Sequence, residues 1–278
     1  MSNKGASVLL WILSVILMLM FAVYQRMTGP THPLSGSIEI EGKSYRYKFL
    51  RSHDTGLDAP FEMQVPDGAT AIFRYKRFKS YDEWTAQEVK PENGIIKLFV
   101  PSQPPAGKVK YQVAIMHNDN SYPLTEEPVI IRFKGSVPGF VLIPHVIFMF
   151  LAMVFSLRTG IEALLKRKNT YVFASWTLLL LFLGGLVFGP IVQKYAFDAY
   201  WTGWPWGTDL TDNKTIVAFI FWLIAWIVLH RRRGNRIWPI VAMVMMLATY
   251  LIPHSMLGSE LDFRELEAES NIKTEAAE

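Results

Sequence analysis

Two kinds of hydrophobic pattern divide the chain. Five runs come close to the roughly 20 consecutive apolar residues that a helix needs to cross a bilayer: residues 6–24, 137–157, 171–192, 215–229 and 237–253. The last two are short, and would cross with little tilt or extend into their flanks. Between the first and second runs the period changes to two. "SIEIEGKSYRYKF", "ATAIFRYKRF", "GIIKLFV", "KVKYQVAIM" and "PVIIRFKG" alternate apolar and polar positions, separated by turn-forming stretches such as "VPDGA", "PENG" and "HNDNSYP". This predicts a β-sandwich over residues 28–136, immunoglobulin-like in broad architecture. The expected fold is a membrane α-helical bundle of about five transmembrane helices, with that extracytoplasmic domain inserted between spans one and two. Residues 1–27 form an N-terminal anchor, residues 137–257 a four-helix domain with a Trp-rich loop at 193–214, and residues 258–278 an acidic tail expected to be disordered.

Basic residues set the orientation, because Lys and Arg in short loops stay on the cytoplasmic side. Arg158, Lys166, Arg167 and Lys168 follow the second run, and Arg231, Arg232, Arg233 and Arg236 follow the fourth. The N-terminus is then cytoplasmic, and the β-domain, Trp-rich loop and C-terminus are extracytoplasmic. No small-residue cleavage site follows the first run, which reads as an uncleaved anchor. The expected location is a bacterial inner membrane, with the bilayer and a membrane or exported protein as partners; nothing points to nucleic acid.

The chain has no cysteine. This excludes disulfides, thiolate metal sites, Fe–S clusters and covalent haem attachment through paired cysteines. Any metal or haem would use His, Met, carboxylate or backbone ligands. No acid–base or nucleophile constellation is present, so the chain reads as a binding protein rather than an enzyme by itself. His32, His53 and His117 are isolated in sequence and read as surface residues of the β-domain. "FRYKRFKSYDEW" interleaves basic and aromatic residues, as either a contact surface for an anionic or carbohydrate partner or a solvated basic strand.

The tetrapeptide Leu-Ile-Pro-His occurs twice, ending at His145 and His254. The run directions bring both histidines to the same outer level, with Pro144 read as the first helical residue. Neutral imidazoles ligate haem iron, copper or zinc. Met149 and Met256 offer thioethers nearby, and Met243, Met245 and Met246 line the fifth run. The candidate metal set is His145, His254 and Met256.

At the same level lies "WTGWPWGTDLTDNKT", with Trp201, Trp204 and Trp206 followed by Asp209. One reading is an interfacial aromatic belt, with Thr211 or Asp212 capping the next helix. The arrangement also resembles the WWD loop of the haem-handling proteins of cytochrome c assembly, although the adjacent Trp-Trp pair is missing. That resemblance implies Trp201, Trp204, Trp206 and Asp209 as a cofactor platform, with His145 and His254 as axial ligands of a b-type haem. Two functions are therefore expected: an outer-face His/Trp site holding b-type haem or copper for electron transfer or cofactor handling, or a non-enzymatic scaffold or accessory subunit whose β-domain binds an exported partner.

Overall fold

A computed structural model describes residues 3–253 and 258–275. It divides into two compact units, one of Met1–Pro30 and Val137–Gly258, the other of Thr31–Ser136 and Ser259–Glu278.

The first unit is helical. Helix α1 spans Asn3–Thr28, α2 Gly139–Leu164 and α3 Thr170–Leu181; α3 runs on through a π-helical segment, Phe182–Phe188, into α4, Gly189–Phe197. Helices α5 (Leu210–Arg231) and α6 (Ile237–Leu251) complete it. Four segments are long and apolar enough to cross a membrane: Lys4–Thr28, Gly139–Leu164, Thr170–Phe197 and Leu210–Arg231. The fifth expected span is the shorter α6, of 15 residues. Val8, Ile12, Ile16, Leu19 and Val23 of α1 are exposed, as a lipid-facing surface would be.

Side-chain bonds fix the helix directions. Gln25 Nε2 near the end of α1 donates to Tyr250 O at the end of α6 (3.1 Å), and Lys214 Nζ at the start of α5 donates to Ile252 O (2.8 Å). At the opposite end, Arg236 before α6 donates to Ala163 O near the end of α2 (3.2 Å), and Tyr171 of α3 meets His230 of α5 (3.1 Å). Helices α1, α3–α4 and α6 therefore run one way, and α2 and α5 the other.

Small residues allow close packing, which substitutes for a hydrophobic driving force between helices in lipid. Ala152, Ala174, Ala218, Ala225 and Ala242 are buried around Trp222, Met153 and Leu229. A Cβ on Gly160 would come 2.9 Å from Met243 Cβ, and one on Gly185 2.7 Å from Thr215 Cγ2. Met243 and the buried Met246 are thus packing residues. The π-helical segment lies just before Pro190, which has no N–H to give and whose ring crowds the preceding turn; wider winding relieves that crowding.

Two local expectations change. Helix α2 begins at Gly139, so Pro144 lies inside it rather than opening it. Arg158 is not in a loop: it is a fully buried residue of α2, paired with Glu162 one turn on.

The second unit is built of short strands. β1 (Leu34–Ile40) and β2 (Lys43–Phe49) form a hairpin, with Glu41 and Gly42 both at positive φ (52° and 75°) in its two-residue turn. β4 (Ala59–Gln64) pairs with β7 (Ile95–Val100). The largest sheet has the order β3-β10-β8-β5-β6, with β9 on β8; these are β3 Ser52–Asp54, β5 Thr70–Arg77, β6 Thr85–Val89, β8 Lys108–His117, β9 Asn120–Pro123 and β10 Val129–Lys134. Alternation decides which face is buried: β4 and β8 each bury every second residue. Phe49, Phe61, Phe73, Ile96, Ile115, Ile131 and Phe133, drawn from all three sheets, share one core. His117 is buried rather than on the surface, at 7% exposure, with Nε2 3.1 Å from Glu41 Oε1.

Residues 258–278, expected to be a disordered acidic tail, include helix α7 (Phe263–Glu275), which belongs with the β strands. The reason is local charge and one aromatic ring. Glu260 bridges Lys79 (2.5 Å) and Lys108, and Glu267 meets Arg77 at 2.5 Å. Phe263 is buried under the Arg77 guanidinium, 4.7 Å from ring centroid to Cζ.

These carboxyls make the contact acid-sensitive. Burial works to raise the Glu260 pKa, but hydrogen bonds from Lys108 and Lys79 outweigh it and hold the group below its usual value. Arg77 lowers Asp82 by hydrogen bonding, and Arg264 lowers Asp262 to about 2 in the same way. A depressed folded-state pKa stabilises above the unfolded value, about 4, and that stabilisation is lost as pH falls through the folded value. Hydrogen exchange of α7 should therefore be slow at neutral pH, corrected for intrinsic rates, and lose protection below about pH 4. Protection unchanged down to pH 2 would contradict this.

Candidate functional site

The end of the helical unit that gathers the close of α4, the start of α5 and the close of α6 holds a cluster of buried polar side chains. Helix α4 stops at Phe197, with Asp198 in the left-handed region (φ 61°). The chain then folds tightly. Trp206 N–H and Gly207 N–H both donate to Gly203 O, at 3.0 and 2.8 Å, and Asp209 N–H donates to Thr202 O at 3.0 Å. Gly203 is needed for this approach, because a Cβ there would lie 2.5 Å from Asp212 Cβ and 2.8 Å from Asn213 Oδ1.

Three side chains of the α5 start hold the loop. Asp209 caps the helix, its Oδ1 accepting Thr211 N–H at 2.7 Å. The cap was expected at Thr211 or Asp212; Asp209 takes it because its backbone is the last extended residue before the helix. Asp212 turns inward instead. Its Oδ2 accepts Thr202 N–H (2.7 Å) and Gln193 Nε2 (3.1 Å), with the Thr202 hydroxyl 3.4 Å away. That hydroxyl also reaches Asp209 Oδ2 at 3.2 Å and accepts from Gln193 Nε2 at 2.7 Å. Asn213 Oδ1 accepts Trp204 N–H at 2.6 Å. Asp209, Asp212, Lys214 and Gln193 are all buried. Lys214 and Gln25 donate to the closing carbonyls of α6, which have no partner inside their own helix.

Trp201 Nε1–H donates to Trp204 O at 3.0 Å, bracing the loop, while Trp204 and Trp206 are 68% and 81% exposed. The loop's backbone is closely hydrogen-bonded, and two of its rings are exposed.

His145 lies farther along the same end. Its Nδ1 is 2.9 Å from Gly184 O, in the π-helical segment. A carbonyl can only accept, so Nδ1 donates, and in the neutral ring Nε2 keeps its lone pair. Met149, one turn along α2, packs on the same glycine, its Sδ 3.0 Å from where a Gly184 Cβ would be. His145 Cε1 would be 3.9 Å from a Cβ on Gly189, one helical turn before Gln193. The structure thus places His145 about a turn of α4 from the loop network, and among the described residues no hydrogen bond joins the two. His254 and Met256 lie outside the described residues. Among the described residues, no group of three or more His, Asp or Glu side chains is assembled to hold a metal.

Gln193 and Thr202 were missed by sequence reasoning. Gln193 had one signal, a lone amide inside an apolar run; Thr202 had none. The chain matches no protein-family model, and no curated protein or solved structure is significantly similar to it. Fold and composition alone define the class: a protein of mixed helix and β-sheet with four helices able to cross a membrane.

Proposed function

We propose that this chain is a non-enzymatic accessory or scaffold subunit of a bacterial inner membrane, binding an exported or membrane protein partner on its extracytoplasmic face. The observation that carries the reading is the Trp loop. Its buried polar side chains bond the loop's own backbone and helix cap, while Trp204 and Trp206 project outward. Exposed tryptophans on a pre-ordered backbone suit binding, because little conformational freedom is lost on contact.

The proposed topology has five crossings, a cytoplasmic N-terminus and an extracytoplasmic, immunoglobulin-like β-sandwich. Support comes from the C-terminal segment. The β strands follow one crossing, and four crossings would leave the segment after α6 on the opposite side of the membrane. That segment packs on the β strands, which supports a crossing by α6 as well. Its 15 helical residues cover about 22 Å, less than a typical hydrocarbon core, which flanking residues and local thinning accommodate. Lys166, Arg167, Lys168, Arg231, Arg232, Arg233 and Arg236 then face the cytoplasm.

Photocrosslinking from position 206 in intact cells should trap a discrete partner, and Trp206→Ala should reduce recovery of that partner. A chain that yields only lipid adducts and purifies alone would sink this reading.

A second reading is favoured by the His145 geometry. Ligating histidines characteristically donate their second ring nitrogen to a carbonyl or carboxylate, as Nδ1 does to Gly184 O. His145 would then be one ligand of a b-type haem or a copper ion near the Trp loop. Absorption spectra and metal analysis of protein from haem-replete cells decide this. A coloured or metal-loaded preparation that loses its cofactor in His145→Ala supports it; a colourless, metal-free one excludes it.

A further inference from the structure

The basic and aromatic stretch "FRYKRFKSYDEW" finds an anionic partner within its own chain. Four features define the contact. Glu260 lies between Lys79 and Lys108. Leu261 N–H donates to Ala106 O at 3.2 Å, and Arg264 N–H to Lys79 O at 3.2 Å. Phe263 is 6% exposed beneath Arg77, close to Gly107, where a Cβ would stand 3.5 Å from its Cζ. Glu267, one turn after Phe263 on the same face of α7, pairs with Arg77, which Asp82 holds in place at 2.7 Å.

We propose that Arg77, Lys79, Lys108 and the Ala106–Gly107 backbone form a recognition site for an acidic peptide with a phenylalanine set between two glutamates, and that the C-terminal segment fills this site until an exported partner's segment displaces it. This rests on the accessory-subunit reading and names the chemistry of its partner.

Two observations argue that the segment is a ligand rather than a fixed part of the core. Leu266 and Ile272 of α7 remain exposed, so the helix buries one large apolar side chain, Phe263. The Arg77–Glu267 pair is about one-third exposed on both sides; such pairs contribute little and are screened by salt. The attached segment holds the site mainly through its high effective concentration. A competing peptide should therefore bind the intact chain weakly, and an opened chain well.

The test uses the full chain in nanodiscs and fluorescence anisotropy of two labelled peptides. One is residues 258–270 of this chain. The other keeps only the Glu, Phe and Glu spacing among unrelated residues. Opening the site with Phe263→Ala and Glu267→Gln should raise affinity for both peptides at least about tenfold over the unaltered chain. Adding Arg77→Gln and Lys79→Gln to the opened chain should remove that gain, and salt should weaken binding. If the opened chain folds poorly, excess peptide added to the unaltered chain should deprotect α7 in hydrogen exchange. The proposal is overturned if neither peptide binds nor deprotects α7, if the unaltered chain binds as well as the opened one, if only the chain's own sequence binds, or if the opened chain binds phosphatidylglycerol vesicles and no peptide. A failure of crosslinking at position 206 would count against the accessory reading and leave the peptide result standing.

Discussion

Glu162→Ala is expected to destabilise the helical unit by about 3–5 kcal/mol, the usual cost of leaving one partner of a buried ion pair alone. Arg158 and Glu162 are 0% and 1% exposed. The guanidinium lies over the adjoining rings of Trp11 (5.5 Å) and Phe173 (5.0 Å), and reaches Ser7 Oγ at 3.4 Å, so it ties α1, α2 and α3 together. Glu162 also accepts Asn169 N–H at 3.3 Å and lies 3.5 Å from Arg167 Nε, which holds the turn between α2 and α3. Deleting the carboxylate strands a buried cation and frees that turn together. Replacing both partners, as Arg158→Met with Glu162→Leu, removes the charge along with its counter-charge and should recover most of the loss. Denaturant or thermal unfolding of the purified chain in one detergent gives the order: unaltered, then double variant, then Glu162→Ala. A single variant within about 1 kcal/mol of the unaltered chain would mean that the pair is solvated.

Asp212→Ala is expected to cost about 2–3 kcal/mol and to release the Trp loop, because it takes the acceptor from the buried Thr202 N–H and one of two acceptors from Gln193 Nε2, which keeps the Thr202 hydroxyl. Asp209→Ala removes a helix cap and should cost only about 1 kcal/mol. The two changes remove the same chemical group three residues apart, so their ratio reports position. Hydrogen exchange across residues 199–209 should rise sharply in Asp212→Ala and modestly in Asp209→Ala. Equal effects would remove the basis for a rigid loop.

The helical runs and the alternating strands were legible because each buries residues at its own period, and period survives in sequence. Arg158 was misread for a related reason. A charge near the end of an apolar run looks like a loop charge, and only its partner four residues on, Glu162, signals that the helix continues with the pair inside. The C-terminal segment was misread because acidity and low hydropathy describe a solvated chain equally well. What orders it is a set of lysines and an arginine some 150 to 190 residues earlier in sequence, a separation no local pattern reveals. In the Trp loop, the aromatic and acidic residues were visible. Their division of labour was not, since the inward turn of Asp212 depends on Thr202 and Gln193.

The proposed function depends most on one arrangement: the Trp loop and the C-terminal segment share the extracytoplasmic face, with the arginine-rich turn on the other side. Because the chain has no cysteine, a single introduced thiol reports its own side of the membrane. Trp206→Cys and Leu266→Cys should react with a membrane-impermeant maleimide in intact spheroplasts, and Arg232→Cys only after lysis. Labelling of Leu266→Cys only after lysis, together with Arg232→Cys, would contradict the five-crossing topology and separate the C-terminal segment from the face on which a partner is expected.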